Sequence, residues 1–321
     1  MMTQVLFVSN KDDLTTDFVV REVQKKGVSF YRLNTEEIGV NVLLSLDFKG
    51  RYYLYDQLSG EKNDLESFSA VYFRRPAIRE YYEEDLTDAE MQFLRIEQYQ
   101  ALEGVYKILD DAFWISPLYA IRNAENKIYQ QILASKLGLQ IAPGIITNNP
   151  EDFRAFWNRN ENDCIVKSIR SGQVGQDKTE KIAYTSRLVD MPSDEQIMVC
   201  PSYIQKHIDK EYDIRVTVVG KKVFATAIFS QECDDTKTDW RKGEHVLPYH
   251  EIELPKDVEH KCLQMMEIMG LNFGAIDFIL DKDGNYVFLE INPNGQWAWI
   301  ECRTGYRIAA EIANLLIHGE N

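Results

Sequence analysis

The chain has 321 residues, of which 45% are hydrophobic and 27% charged, and carries a formal net charge of −15. That length exceeds one typical domain and predicts two or three, in a chain of ordinary globular composition. The negative charge argues against nonspecific nucleic-acid binding, while leaving room for a local basic pocket that takes phosphates.

The N-terminus has no basic stretch and only a short apolar run, residues 5–9, which reads as a first strand and not as a signal peptide. A helix over 16–26, ended by Gly27, and a strand over 28–32 complete a βαβ opening, the signature of a small α/β domain. Residues 40–46 and 51–55 read as a hairpin, and 70–73 as a further strand ending at Arg74, Arg75 and Pro76. A long helical pattern covers 87–109, with Met91, Leu94, Leu102, Val105 and Leu109 as its apolar positions. Ser116-Pro117 marks a boundary. A second helix covers 124–137, closed by Gly138, with Ile128, Ile132 and Leu133 on its apolar face. Strands follow at 163–168, 199–205, 213–219 and 222–229, then a helix over 258–269 stopped by Gly270, and a terminal helix over 306–318. The division expected is 1–118, 119–205 and 206–321. Cys164, Cys200, Cys233, Cys262 and Cys302 form no CxxC pair and read as free thiols of a reducing compartment. No stretch approaches the ~18 apolar residues of a membrane span, so a cytoplasmic protein without membrane contact is expected.

The most informative stretch is FGAIDFILDKDGNYVFLEINPNGQW. DKDG (281–284) reads as a hairpin turn between alternating segments 275–280 and 286–291. Asp277 then lies on one strand and Glu290 on its neighbour, with Glu290 and Asn292 on one face. Three hard oxygen donors on a sheet surface suit magnesium, which leaves room for phosphate oxygens. The bland alternative is solvated surface; acids embedded among Phe278, Ile279, Phe288, Leu289 and Ile291 favour the metal, because a buried carboxylate needs a partner.

Weaker signals lie upstream. Lys167 ends an apolar strand before a loop, residues 171–175, with Gly172 and Gly175; such a loop can fold over phosphates with the lysine as point charge, although the spacing is not that of a P-loop. By itself it equally suits a solvated strand end. Lys127 opens a helix, where anions are favoured, and is otherwise a surface lysine. Arg215 alternates with Ile214 and Val216; it suits a structural ion pair or a bidentate clamp on phosphate or carboxylate. The five histidines form no HExxH or triad-like cluster, and Trp297 and Trp299 read as core or interface aromatics. The acidic stretch 232–239 reads as a surface loop.

Taken in order, Lys127, Lys167 with its glycine loop, the 205–213 crossing, Arg215, Asp277, Glu290 and Asn292 resemble the ATP-grasp fold (α/β, or α+β) of carboxylate–amine ligases. The DX12EXN ending is specific to that superfamily. YFRRP, NAENK, DIRVTVVG, SQ (230–231), DWR (239–241) and FLEINPNGQW resemble, more narrowly, the microviridin-type ATP-grasp peptide maturases, or graspetide synthetases, over essentially the whole chain. RRP and EINPNGQW separate this group from the RimK-like ligases that add free amino acids to a protein. The resemblance implies ATP and Mg2+ as cofactors, an N-terminal α/β domain before central and C-terminal ATP-grasp domains, a precursor peptide with leader and core as partner, and a homodimer. It implies that Lys127 and Lys167 contact phosphates under a loop containing Ser171 and Gly172. Adenine would sit against Gln205, Lys206 and His207, and ribose against Glu211 or Asp213. Asp277, Glu290 and Asn292 would hold magnesium. Arg215 would stabilise the transferring phosphoryl group or acyl phosphate, and Arg241 and Arg303 would grip a substrate carboxylate. Arg74 and Arg75 match a family motif that suits domain packing as well. The reaction implied is activation of a precursor Asp or Glu side chain, then attack by a Thr or Ser hydroxyl or a Lys amine. A ligase adding free amino acids, or a non-catalytic ATP-binding sensor, are the other classes.

Overall fold

Residues 5–8 are apolar at every position, as befits a strand covered on both faces. The computed structural model describes residues 4–80, 86–170, 173–174, 181–182, 185–233, 236–240 and 247–319. It opens with β1 (Gln4–Ser9), α1 (Leu14–Lys25) and β2 (Ser29–Asn34). A small antiparallel sheet of β3 (Val42–Asp47), β4 (Arg51–Asp56) and β5 (Lys62–Asp64) follows, then β6 (Ala70–Phe73), α2 (Asp88–Ile108) and β7 (Phe113–Ile115). Strands β2, β1, β6 and β7 form a parallel sheet in that order. Thr87 starts α2 with a reciprocal capping box to Glu90.

Next come α3 (Leu118–Ala124), α4 (Lys127–Lys136), β8 (Gln140–Ile141), β9 (Gly144–Thr147), α5 (Pro150–Arg159) and β10 (Cys164–Lys167). The paired two-residue strands β11 (Gln173–Val174) and β12 (Lys181–Ile182), then β13 (Ser186–Arg187), α6 (Asp194–Met198) and β14 (Ser202–Lys206), complete the middle of the chain. β13, β10, β14 and β9 make a four-stranded antiparallel sheet. Phe153, Phe156 and Trp157 of α5 and Ile197 of α6 cover its outer face against Cys164 and Ile204, a small core of its own. The C-terminal part holds β15 (Lys210–Val219), β16 (Lys222–Ile228), β17 (Tyr249–Ile252), α7 (Lys256–Met269), β18 (Phe273–Asp281), β19 (Tyr286–Asn292), α8 (Ala298–Arg303) and α9 (Ile308–His318). Its sheet runs β17-β16-β15-β18-β19-β8.

The first and last parts share cores. Val5, Phe7, Val19 and Tyr72 pack with Trp297, Ile308 and Ile312, so α9 covers the N-terminal sheet beside α1. The opposite face of that sheet joins α2 in the core that also holds Ile214, Val216, Phe278, Phe288 and the α7 methionines.

Three expectations change. The helix expected over 124–137 is two helices, broken where Asn126 caps α4 by accepting from the Tyr129 N–H. Its packed face runs through Gln130, Leu133 and Ala134, whereas Ile128 and Ile132 are exposed. Buried Gln130 explains the difference: its amide donates to the Ala124 and Ile291 carbonyls and accepts from the Ile291 N–H. α3 and α4, placed with the central part on the sequence, lie instead against α7 and β19. Finally, α5 and α6 went unforeseen, although Asn149-Pro150 is a legible helix start and Asn149 does cap α5.

Candidate active site

The four-stranded and six-stranded sheets face each other across a cavity of about 690 Å³, the size of a small-molecule site. One wall is the inner face of the small sheet. Alternation along β10 and β14 turns Cys164 and Ile204 to the α5 core and Ile165, Lys167 and Gln205 to the cavity. The other wall is the face of β18 and β19 that carries Asp277, Ile279, Glu290 and Asn292.

A β-bulge brings the acids together. Leu280 pairs with Tyr286 and Phe278 with Phe288, but Asp277 pairs with Glu290. The extra residue is Leu289. In an unbulged register Asp277 would oppose Leu289, and Glu290 would point to the other face of the sheet. Gln131 on α4 donates to the Leu289 carbonyl at 2.6 Å, and Gln130 pairs both ways with Ile291. Two glutamines thus bond the end of β19 beyond its pairing with β8.

Each carboxylate already holds a cation. Asp277 Oδ1 accepts from Arg215 Nε at 2.7 Å, in a pair that is 13% and 8% exposed. Lys127 Nζ lies 3.0 Å from Glu290 Oε2 and 3.4 Å from the Ser168 carbonyl. Arg215 also donates to the Gln296 carbonyl at 3.2 Å and lies over the Trp240 ring. Among the described residues no three His, Cys, Asp or Glu side chains gather as a metal site. The donors present are two carboxylates and the Asn292 amide oxygen, hard ligands that fit magnesium once phosphate and water complete its shell.

At the crossing between the walls, Gln205 is buried and donates to the Tyr203 hydroxyl at 3.0 Å. Burial pushes that hydroxyl up to about 12. The Lys206 and His207 N–H groups are already engaged, by the Pro143 and Asp163 carbonyls. The His207 ring lies within hydrogen-bond reach of Arg187, and burial, with the Arg187 charge, lowers its pKa. Asp213 lines the cavity, but its carboxylate is held by Lys210 at 2.6 Å and by the Ser230 hydroxyl. Burial raises its pKa against the pull of Lys210.

Of the residues expected at the site, Lys127, Lys167, Gln205, Lys206, His207, Asp213, Asp277, Glu290 and Asn292 line this one cavity. Arg215 joins through Asp277. Glu211 is exposed beside a register shift and does not line the cavity, which leaves Asp213 as the member of that pair on the cavity wall. Arg303 ends α8, exposed and not among the cavity-lining residues, with its charge near Tyr249. Ser171, Gly172 and Arg241 lie outside the described residues. The two arginines of RRP part ways: Arg74 is buried, Arg75 exposed. Sequence reasoning missed Gln130, Gln131, Lys210 and Gln296. Glutamine on a helix carries no periodic signal of burial, so only the tertiary contacts reveal the first two.

Lys167 on a strand and Lys127 at a helix start, beside carboxylates of the facing sheet, suit the phosphates of a nucleoside triphosphate, as in an ATP-using ligase. The chain belongs to the RimK-like ATP-grasp family, whose ATP-grasp domain is matched over residues 124–316; an MvdD pre-ATP grasp domain is matched over residues 4–122. It is similar in structure to a RiPP-associated ATP-grasp ligase of Chryseobacterium gregarium, solved with ADP and a leader and core peptide (28% identity, 98% of this chain and 96% of that one, TM-score 0.87). It is similar to the macrocyclase MdnC of Microcystis aeruginosa, solved with its precursor peptide MdnA (26% identity, 99% and 100% covered, TM-score 0.84). Macrocyclase MdnB of the same organism is 30% identical over 99% of this chain and 100% of that one, with TM-score 0.81. Matches to curated relatives are shorter, covering 32% of an uncharacterized Mycoplasma genitalium protein and 65% of its Mycoplasma pneumoniae homolog.

Proposed function

We propose that this ligase uses ATP and Mg2+ to close rings in a ribosomally made precursor peptide. An Asp or Glu side-chain carboxylate of the peptide takes the γ-phosphoryl group, ADP leaves, and the acyl phosphate is attacked by a Thr or Ser hydroxyl or a Lys amine of the same peptide. An ester or amide bond forms, phosphate departs with the former carboxylate oxygen, and the peptide loses one water per ring. The observation that carries this reading is the bulge that sets Asp277 and Glu290 side by side, opposite Lys167 in a single cavity.

A carboxylate is a poor electrophile, and phosphorylation supplies its leaving group. Catalysis of such a transfer is positioning and charge stabilisation. Asp277, Glu290 and Asn292 would hold magnesium, which supplies charge neutralisation between phosphates. Lys127 and Lys167 would bind phosphate oxygens, Lys127 exchanging part of its contact with Glu290 for them. Arg215, oriented by Asp277 and the Gln296 carbonyl, would offer its remaining N–H groups to charge developing on the transferring phosphoryl group. Gln205, His207 and the backbone between them would border adenine, and Asp213, locked by Lys210, would shape the ribose end. Ser171 and Gly172 would close over the phosphates, and Arg241 and Arg303 would meet substrate carboxylate.

Finer features belong to the same reading. A homodimer is supported by Phe93, Ile96 and Tyr99, exposed at three-residue spacing on α2. A cytoplasmic site of action is supported by five free cysteines. No helix among the described residues is long and apolar enough to cross a membrane. The second reading, addition of free amino acids to a peptide or protein, is favoured by the RimK-like match alone. Mass spectrometry of a co-expressed candidate precursor separates the two: ring closure removes water, whereas ligation of a free amino acid adds its residue mass. An unchanged precursor mass, in the presence of ATP and Mg2+, would sink both.

A further inference from the structure

In an open parallel sheet, ligands bind in the crevice outside the carboxyl ends of the strands, where neighbouring connections diverge. Here that crevice lies beyond β1 and β6, since β1 has β2 on one side and β6 on the other. Another part of the same chain fills it. Arg74, immediately after β6, is 2% exposed. Its Nε lies 3.1 Å from Asp13 Oδ2, its Nη1 donates to the Asn294 and Gly295 carbonyls at 3.2 and 3.1 Å, and its Nη2 donates to Gln296 Oε1 at 2.8 Å. Asp13 is steadied by the hydroxyls of Ser9 and Thr16, at 3.2 and 2.8 Å. Thr15 Oγ1 donates to the same Gln296 oxygen at 2.8 Å. The N-terminal crevice therefore grips residues 294–296, the turn that leaves β19 two residues after the Asn292 amide.

The C-terminal sheet grips the same turn from the other side. Arg215 donates to the Gln296 carbonyl, and Asn292 Oδ1 accepts from the Asn294 N–H at 3.0 Å. Gly295 sits so close that an added Cβ would overlap Ala275 Cβ and lie 3.3 Å from Arg215 Nη1. The turn is thus pinned between two arginines, Arg215 on β15 and Arg74 just beyond β6. Docking of the N-terminal domain does not need this: Trp297, Ile308 and Ile312 already bury themselves against its strands. What the Arg74 fork adds is direction, because a planar guanidinium serving two carbonyls and an amide at once fixes them in a way an ammonium cannot.

We propose that Arg74 is a positioning residue for the reaction centre. Anchored by Asp13, it fixes the 294–296 turn and through it the orientation of Asn292 and Arg215, so that the N-terminal domain sets the affinity for the divalent cation. The inference rests on the reading above that Asn292 helps hold that cation.

The test is Mn2+ binding to the enzyme–ADP complex, titrated by electron paramagnetic resonance, with the melting temperature and metal-free ADP affinity measured alongside. Arg74→Lys, which keeps the charge beside Asp13 and loses the fork, is expected to weaken Mn2+ binding about tenfold, the range found for partners that orient metal ligands, with metal-free ADP affinity unchanged. Gln296→Leu, which removes one acceptor of the same clamp, is expected to weaken it about threefold and carries the test if Arg74→Lys does not fold. Asn292→Ala separates the two levels. If it leaves Mn2+ binding unchanged, the metal role of Asn292 fails. If it weakens binding while Arg74→Lys and Gln296→Leu lower only the melting temperature, the clamp is merely structural and the positioning role is overturned.

Discussion

The two ion pairs at the centre of the site look alike and are built differently. Asp277 and Arg215 lie on adjacent strands and are both nearly buried, whereas Glu290 and Lys127 join a strand to a helix start and are 25% and 20% exposed. Arg215 has the Gln296 carbonyl and the Trp240 ring as further partners; among the described residues Lys127 has, besides Glu290, a long contact to the Ser168 carbonyl. On the proposed function the first pair belongs to the framework, its cation staying with its acid, and the second is exchangeable, its cation turning to phosphate.

The largest expected effect breaks that comparison directly. Asp277→Ala and Glu290→Ala should both abolish turnover, but only the first should cost much stability. Removing one partner of a buried pair costs ~3–5 kcal/mol, whereas a more exposed pair is worth at most about 1 kcal/mol. Urea denaturation of both variants measures the split; equal losses of stability would contradict it. Next, Lys127→Ala and Lys167→Ala should weaken binding of a nonhydrolysable ATP analogue by roughly ten- to a hundredfold each, as a charge-assisted hydrogen bond worth ~1.5–3 kcal/mol is lost. Calorimetric titration reads this, and unchanged affinity in both would return the lysines to plain surface charge. Gln131→Ala should cost ~1 kcal/mol by leaving the Leu289 carbonyl of the bulge without its donor, and should lower turnover at saturating ATP because Glu290 is no longer held on the Asp277 face. Full turnover with lowered stability would show that the bulge needs no support from α4.

The smallest effect is a pH dependence. Burial and Arg187 hold the His207 pKa below its ordinary value of 6.5, so the folded protein resists a proton that the unfolded chain accepts. Stability from this source is complete above pH 6.5 and declines as pH falls toward the depressed value. His207→Gln should flatten the melting temperature between those limits; an unaltered slope would remove His207 as its cause.

Much of this was legible in residues and some was not. Asp277, Glu290 and Asn292 were readable because a DKDG turn between alternating apolar segments forces a hairpin. The bulge was not, since one extra residue in a strand leaves no mark in composition, yet it decides which face Glu290 occupies. The break at Asn126 and the burial of Gln130 escaped for a related reason: hydrophobic periodicity assigns faces by apolar residues, and here a satisfied amide holds the packed position. Arg74 and Arg75 were inseparable in sequence. Their different fates depend on the turn 294–296, more than two hundred residues away in the chain.

The path of one oxygen atom tests acyl-phosphate activation most directly. A precursor peptide whose Asp and Glu carboxylates carry oxygen-18 would be incubated with the enzyme, ATP and Mg2+, and the released phosphate analysed by mass spectrometry. Activation as an acyl phosphate predicts one labelled oxygen in phosphate for each ring closed. Ring closure with unlabelled phosphate would contradict it, because the carboxylate oxygen would then never have been phosphorylated.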